Sequence, residues 1–259
     1  MKSRRLRLLG FLCVLVVAGC GHQQKRAQEG ASTGPAQPVN SATSGTISGK
    51  VTLSGAPPTL RPINMGTDPN CQAAHPDPVK PEEVVTGPNG ALANVVVYIK
   101  SGLGNYSFVA PKAPVVLDQK GCMYEPHVLG LMVGQPMEVK NDDPTTHNVH
   151  AMPSDDSGWN KSQPPGAAPI EQTFDHPELA IPIQCNIHPW MKSYAFVFAN
   201  PYFAVTPSTG TFELKGVPPG TYTIEAWQGK YGAQDQTVTL GARGSKQISF
   251  TFEAGSGAD

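Results

Sequence analysis

No apolar run in this chain is long enough to span a bilayer with ease: the longest, Leu8 to Ala18, falls well short of the ~20 residues a membrane helix needs. No amphipathic pattern of helical period lasts beyond a few turns, so a helical bundle is not expected. Charge is sparse, with Asp, Glu, Lys and Arg at 15% of 259 residues and a formal net charge of −1. Four of the 19 basic residues precede Leu8; without them 15 basic residues stand against 20 acidic ones, which argues against nucleic acid as a partner. Cysteine and histidine are few, five and seven, so each one carries weight. What abounds is glycine and proline, 27 and 26, punctuating many short runs of period-two alternation, the signature of an all-β sandwich.

The run Cys185-Asn186-Ile187-His188-Pro189-Trp190-Met191 sets a thiolate, an imidazole and a thioether at C-x2-H-x2-M spacing. Upstream, Val139-Lys140-Asn141-Asp142-Asp143-Pro144-Thr145-Thr146-His147-Asn148-Val149-His150 reads as a strand ending in a turn that delivers a second imidazole. Two His and one Cys with a weak axial Met suit copper, because soft sulfur favours Cu(I), imidazole suits both oxidation states, and little must rearrange when an electron passes. Leu179, Ile181, Ile183 and Cys185 alternate, so the sulfur is expected on the same dry face as three apolar side chains. The alternatives are a core cysteine beside a surface histidine, or a zinc site, for which Met is a poor ligand.

At these residues the chain resembles the cupredoxins, and among them the amicyanins, over roughly 114–199. The resemblance implies His147 as first ligand, Cys185 and His188 as loop ligands and Met191 as axial ligand, with Asn148 hydrogen-bonding across to the Cys loop as a brace. Val128 to Val139 looks like the strand, glycine turn and strand that precede the first ligand in that family. His150 is given no metal role. The stretch from Ser154 to Ile170, rich in Pro, Gly and Ser, is longer than the family pattern. The resemblance further implies that the loop histidine breaks the surface inside an apolar patch, which would make Trp190, Pro189 and Met152 a docking face for a redox partner. The alternative for Trp190 is a core residue packed beneath the loop.

Lys2, Arg4, Arg5 and Arg7 ahead of the Leu8–Ala18 run form a signal-peptide layout over 1–19. Val17-Ala18-Gly19-Cys20 resembles a bacterial lipobox, in which Cys20 would carry the lipid; an ordinary cleavable signal is the alternative. The expectation is a membrane-anchored lipoprotein of the periplasm or cell envelope, tethered and not spanning. Residues 20–45 turn to Gln, Ala, Ser, Thr, Gly and Pro, a leash with a typical reach of about 25 to 30 Å.

Two distant segments look like halves of one further domain. Gly45 to Leu53 and Thr209 to Ile224 share alternating apolar residues, and Pro219-Gly220 suits the centre of a type II turn. They are similar to strands of carboxypeptidase-regulatory-like, transthyretin-type sandwiches, and Asn94 to Lys100 fits the same domain. The expected organisation is therefore 46–112 and 200–254 as two parts of that sandwich, with 113–199 as an inserted cupredoxin Greek-key sandwich. Such modules are usually stalks or adhesive domains, and some related ones bind carbohydrate.

Cys13 leaves with the signal, Cys20 takes lipid and Cys185 takes copper, which leaves Cys71 and Cys122 as a disulfide in an oxidising compartment. Closing a loop of about 50 residues stabilises by about 4 kcal/mol in the chain-entropy model. The competing reading is a second metal held by Cys71, His75, Cys122 and His127. Three functions follow. The first is a lipid-anchored carrier of single electrons, holding one copper, between redox proteins such as a cytochrome or a copper or quinone oxidoreductase. The second is copper binding or delivery without redox turnover. The third, a copper enzyme, is disfavoured because no second group of closely spaced imidazoles appears.

Overall fold

The computed structural model describes residues 36–255; the signal, Cys13 and Cys20 lie outside them. The chain is almost entirely β: β1 (Gly45–Ser54), β2 (Val96–Ser101), β3 (Val115–Lys120), β4 (Met123–Glu125), β5 (Val128–Met132), β6 (Met137–Asn141), β7 (His147–Ala151), β8 (Trp159–Gln163), β9 (Ile170–Gln172), β10 (Glu178–Gln184), β11 (Lys192–Phe198), β12 (Phe203–Val205), β13 (Thr211–Val217), β14 (Gly220–Gln228), β15 (Gly232–Leu240) and β16 (Ser245–Glu253), with one short helix α1 (Pro69–Ala74). Among the described residues no helix is long and apolar enough to cross a membrane.

Four sheets form two sandwiches. In one, sheet β13–β1–β16 faces sheet β12–β2–β14–β15; in the other, β4–β3–β6–β9 faces β5–β11–β10–β7–β8. Alternation explains the first core: Ile47, Val51 and Leu53 of β1 point inward with Phe250 and Phe252 of the parallel β16 beside them. The run Val95 to Ile99 is continuous rather than alternating because β2 is buried on both faces. Val95, Val97 and Ile99 enter the first core, while Val96 and Tyr98 meet Val128, Phe196 and Phe198 in a third cluster that joins the sandwiches. Phe198 is its centre, with ring centroids 4.5 Å from Phe203 and 5.1 Å from Tyr98. Gly130 in β5 has no side chain because a Cβ there would lie 2.7 Å from the Phe203 ring.

Local expectations fail at three places, each for a physical reason. Gly220 does not occupy a left-handed turn position; it opens β14 in extended conformation, and the nearby Tyr222 hydroxyl donates to the Pro218 carbonyl to close the corner. The alternation of Leu179 with Ile181, Ile183 and Cys185 breaks at Ala180, which has φ 57° and shifts the β10–β11 register, so Leu179 packs against the inter-sandwich cluster instead. Residues 46–112 do not belong wholly to one sandwich, since Met65 and Cys71 are buried in the core of the other. The long Ser154–Ile170 stretch supplies β8, an edge strand on β7, before the chain crosses to the facing sheet as β9.

Removing the Phe198 ring opens a cavity between the sandwiches. Phe198→Ala should lower the free energy of unfolding by about 3–5 kcal/mol in urea titration, whereas a loss below about 1 kcal/mol would show that the sandwiches are held together elsewhere.

Candidate metal centre

The loop between β10 and β11 is short and closed by its own backbone. Cys185 N–H donates to Met191 O at 3.2 Å and Met191 N–H to His188 O at 2.9 Å. Cys185 follows Ile181 and Ile183 on the buried face of β10, and Met191 is buried in the same core. The turn between β6 and β7 is shaped by amides: Asp143 N–H donates to Asn141 Oδ1, and Asn141 Nδ2 donates to the carbonyls of Thr145 and Gln163. Gln163 Nε2 donates to Val139 O and Gln119 Nε2 to Gln163 Oε1, so a buried amide ladder fixes the turn against β3, β6 and β8.

These two segments bring His147, Cys185 and His188 together, with one ring nitrogen of each histidine and the sulfur all within 4.8 Å of one another. All three residues are buried. His147 Nδ1 faces His188 Nδ1 at 2.9 Å, a hydrogen bond that needs one donor and one acceptor. The outer nitrogens are both taken by carboxylates: His147 Nε2 lies 2.9 Å from Asp143 Oδ2 and His188 Nε2 lies 3.1 Å from Asp68 Oδ2. Burial alone would lower the His147 pKa, but the Asp143 carboxylate and the Cys185 sulfur outweigh it and raise it to about 9. His188 goes the other way, since burial and then the charge of His147 prevail over the Asp68 hydrogen bond and lower it. The consistent proton assignment has His147 donating through Nδ1 to His188, and His188 donating through Nε2 to Asp68. Burial would raise the Cys185 thiol, but the His147 ring and the amides of Asn148, His188 and Ile187 hold it below its usual range, favouring thiolate.

Asn148 links the segments. Its Oδ1 accepts from Asn186 N–H at 2.6 Å, and its own N–H points at the Cys185 sulfur at 3.5 Å. His150 lies off the centre, its Nδ1 3.3 Å from Asn186 Oδ1. Cys71 and Cys122 are joined as a disulfide. His75 is bonded to Gly121 O and His127 to Lys192 O, so the alternative second metal set is not assembled. The expectation of a surface-breaking His188 is corrected: it is only 2% exposed, because α1 and the loop before it lie across its edge. Trp190 is half-buried rather than free, its ring 5.1 Å from His188 and its Nε1 donating to Cys122 O. Pro189 and Ile187 remain exposed and Met152 partly so.

Sequence reasoning missed Asp143 and Asp68. Asp143 sits four residues before His147, a spacing that a turn can fold back into contact and that therefore left a trace. Asp68 left none, being 120 residues from His188 in a Pro-rich loop.

The donor set fits copper on its own chemistry. Two imidazole nitrogens and a thiolate-prone sulfur converge in a buried place, with a buried thioether residue in the same loop, while the neighbouring carboxylates are already committed to backbone amides and outer ring nitrogens.

No family model and no curated protein matches the chain. Among solved structures it is similar to a Cu-containing nitrite reductase from Thermus scotoductus SA-01, at 24% identity and TM-score 0.31 over 34% of this chain and 23% of that one. It is also similar to the oxidized state of a proline mutant of amicyanin, at 22% identity and TM-score 0.29 over 34% and 84% of the respective chains. A third is a purple cupredoxin from Nitrosopumilus maritimus, at 24% identity and TM-score 0.26 over 29% and 81%. The chain thus spans less than a quarter of the nitrite reductase.

Asn148→Ala removes the acceptor that aligns the Cys185 loop with β7. The variant should fold, with a stability cost of about 1–3 kcal/mol, and bind metal about 10- to 100-fold more weakly by chelator competition. An affinity equal to wild type would show that the loop is aligned without it.

Proposed function

We propose that this protein is a copper-binding carrier of single electrons. The metal would be held by His147, Cys185 and His188, with the thioether of the buried Met191 as a further, weaker donor. The observation that carries this reading is the buried convergence of two Nδ1 atoms on one sulfur, with both Nε2 atoms held by carboxylates. Copper in such a set supplies a one-electron couple with little change of geometry between its oxidation states.

The residues of the chain do the rest. Asp143 and Asp68 fix the imidazole planes, and Asn148 fixes the Cys185 loop. The packed core around Cys185 keeps water from the thiolate. That burial favours a retained metal over copper delivery, since a metal handed onward needs an open ligand edge, and neither histidine offers one.

The leader and Cys20 support a lipid-anchored site of action in the periplasm or cell envelope, and the Cys71–Cys122 disulfide suits an oxidising compartment. The exposed Ile187 and Pro189 beside the loop offer a small apolar contact of the kind brief redox encounters use, with a cytochrome or a copper or quinone oxidoreductase as partner. The second sandwich, with its resemblance to carboxypeptidase-regulatory-like modules, serves in this reading as the platform on which the copper domain is inserted.

The copper-loaded full chain should show an intense visible thiolate-to-Cu(II) charge-transfer band that Cys185→Ser abolishes. A colourless Cu(II) complex of the wild type would rule out the carrier reading.

A further inference from the structure

The strap from Ile63 to Val79 is not a peripheral loop. Its base is closed by Ile63 N–H donating to Val79 O at 2.8 Å, Met65 and Cys71 are buried in the copper-side core, and the ring of His75 reaches Gly121 O. At its apex sits Asp68, and the two oxygens of that carboxylate have separate tasks. Oδ1 caps α1, accepting from Asn70 N–H at 2.8 Å and Cys71 N–H at 3.2 Å. Oδ2 accepts from Thr145 Oγ1 at 3.0 Å and lies 3.1 Å from His188 Nε2. A helix cap alone needs only the first oxygen. The second is aimed at the imidazole, and Thr145, two residues before His147, keeps it there.

The other imidazole is held in a parallel way. Asp143 accepts from Gly121 N–H at 2.6 Å and Cys122 N–H at 2.7 Å, two successive amides turned toward one carboxylate by left-handed residues at φ 61° and 54°. The Cys71–Cys122 disulfide therefore ties together the two backbone cradles: Cys71 N–H holds the carboxylate on His188, and Cys122 N–H holds the carboxylate on His147.

We propose that Asp68 is a positioning residue for His188, and that the disulfide-stapled strap is a working part of the metal site, fixing the imidazole through Nε2 and sealing its edge from solvent. This deepens the copper reading above and rests on it for the metal, but the geometry is a property of the chain itself. A carboxylate on the outer nitrogen of a liganding imidazole selects the tautomer with Nδ1 free for metal and increases its donor strength. Its negative charge also favours the more highly charged oxidised ion over the reduced one. Sealing the edge moves any path for electron exchange away from His188 itself, toward the half-buried Trp190 ring beside it.

The test compares wild type with Asp68→Asn in the full chain. Asparagine still offers Oδ1 to the helix cap but presents an amide donor toward His188 and Thr145. In metal-free, nitrogen-15-labelled protein, the His188 Nε2 proton should be a single, slowly exchanging resonance. In Asp68→Asn it should exchange at least about tenfold faster. With copper, the variant should bind about 10- to 100-fold more weakly and show a raised reduction potential. Thr145→Val, which keeps the charge but frees Oδ2, should shift the proton exchange in the same direction by less.

If Asp68→Asn retains the wild-type strand amide spectrum and leaves both proton exchange and metal affinity unchanged, Asp68 is a helix cap only and the proposal is overturned. A wild type that takes up no copper, with the His188 proton still responding to Asp68, would sink the copper reading and leave the positioning role standing. A copper-coloured wild type with an indistinguishable Asp68→Asn variant would do the reverse.

Discussion

Two imidazoles and a thiolate-prone sulfur buried against one another leave four ring nitrogens and a sulfur out of reach of bulk solvent. A buried polar group without a partner costs on the order of 1–3 kcal/mol, and a charged one more. Much of the local architecture answers that constraint. The inner nitrogens face each other, the outer ones take Asp143 and Asp68, and the sulfur faces the amides of Asn148 and His188. The carboxylates would in turn be costly to bury, and each is cradled by two backbone amides. Those cradles meet at the Cys71–Cys122 disulfide, so the chain of dependence runs from the ring nitrogens to a covalent bond.

The centre of this site was legible because it is local. Cys185 and His188 lie within a span of four residues in one short loop, and His147 with Asn148 opens a strand whose preceding turn is marked by Asn, Asp and Pro. The carboxylate on His188 was not legible because its contact is tertiary. Asp68 acquires its role only when the strap folds over His188, and nothing in the period or composition of 55–80 points there. The buried position of His188 follows from the same contact, which is why an expectation drawn from the loop alone left its edge exposed.

The fold shows the same division. Short alternating runs between Gly and Pro sufficed for an all-β chain, and the uninterrupted Val95–Ile99 run marks a strand buried on both faces. What alternation could not reveal is where it breaks. The left-handed Ala180 shifts β10 so that Leu179 leaves the site's core for the cluster between the sandwiches. Pro219-Gly220 carried a sound turn signal, yet the corner is closed by Tyr222, one residue beyond the turn's own four, reaching back to Pro218. In both cases side-chain packing overrode a local preference worth little by itself.

The central claim is that two imidazole nitrogens and one thiolate of this chain form a copper centre. X-ray absorption at the copper edge of the loaded full chain tests it most directly, because it counts the atoms bound to the metal. The account predicts a first shell of two nitrogens and one short sulfur, with that sulfur lost in Cys185→Ser. A shell of nitrogen and oxygen alone in the wild type would contradict it.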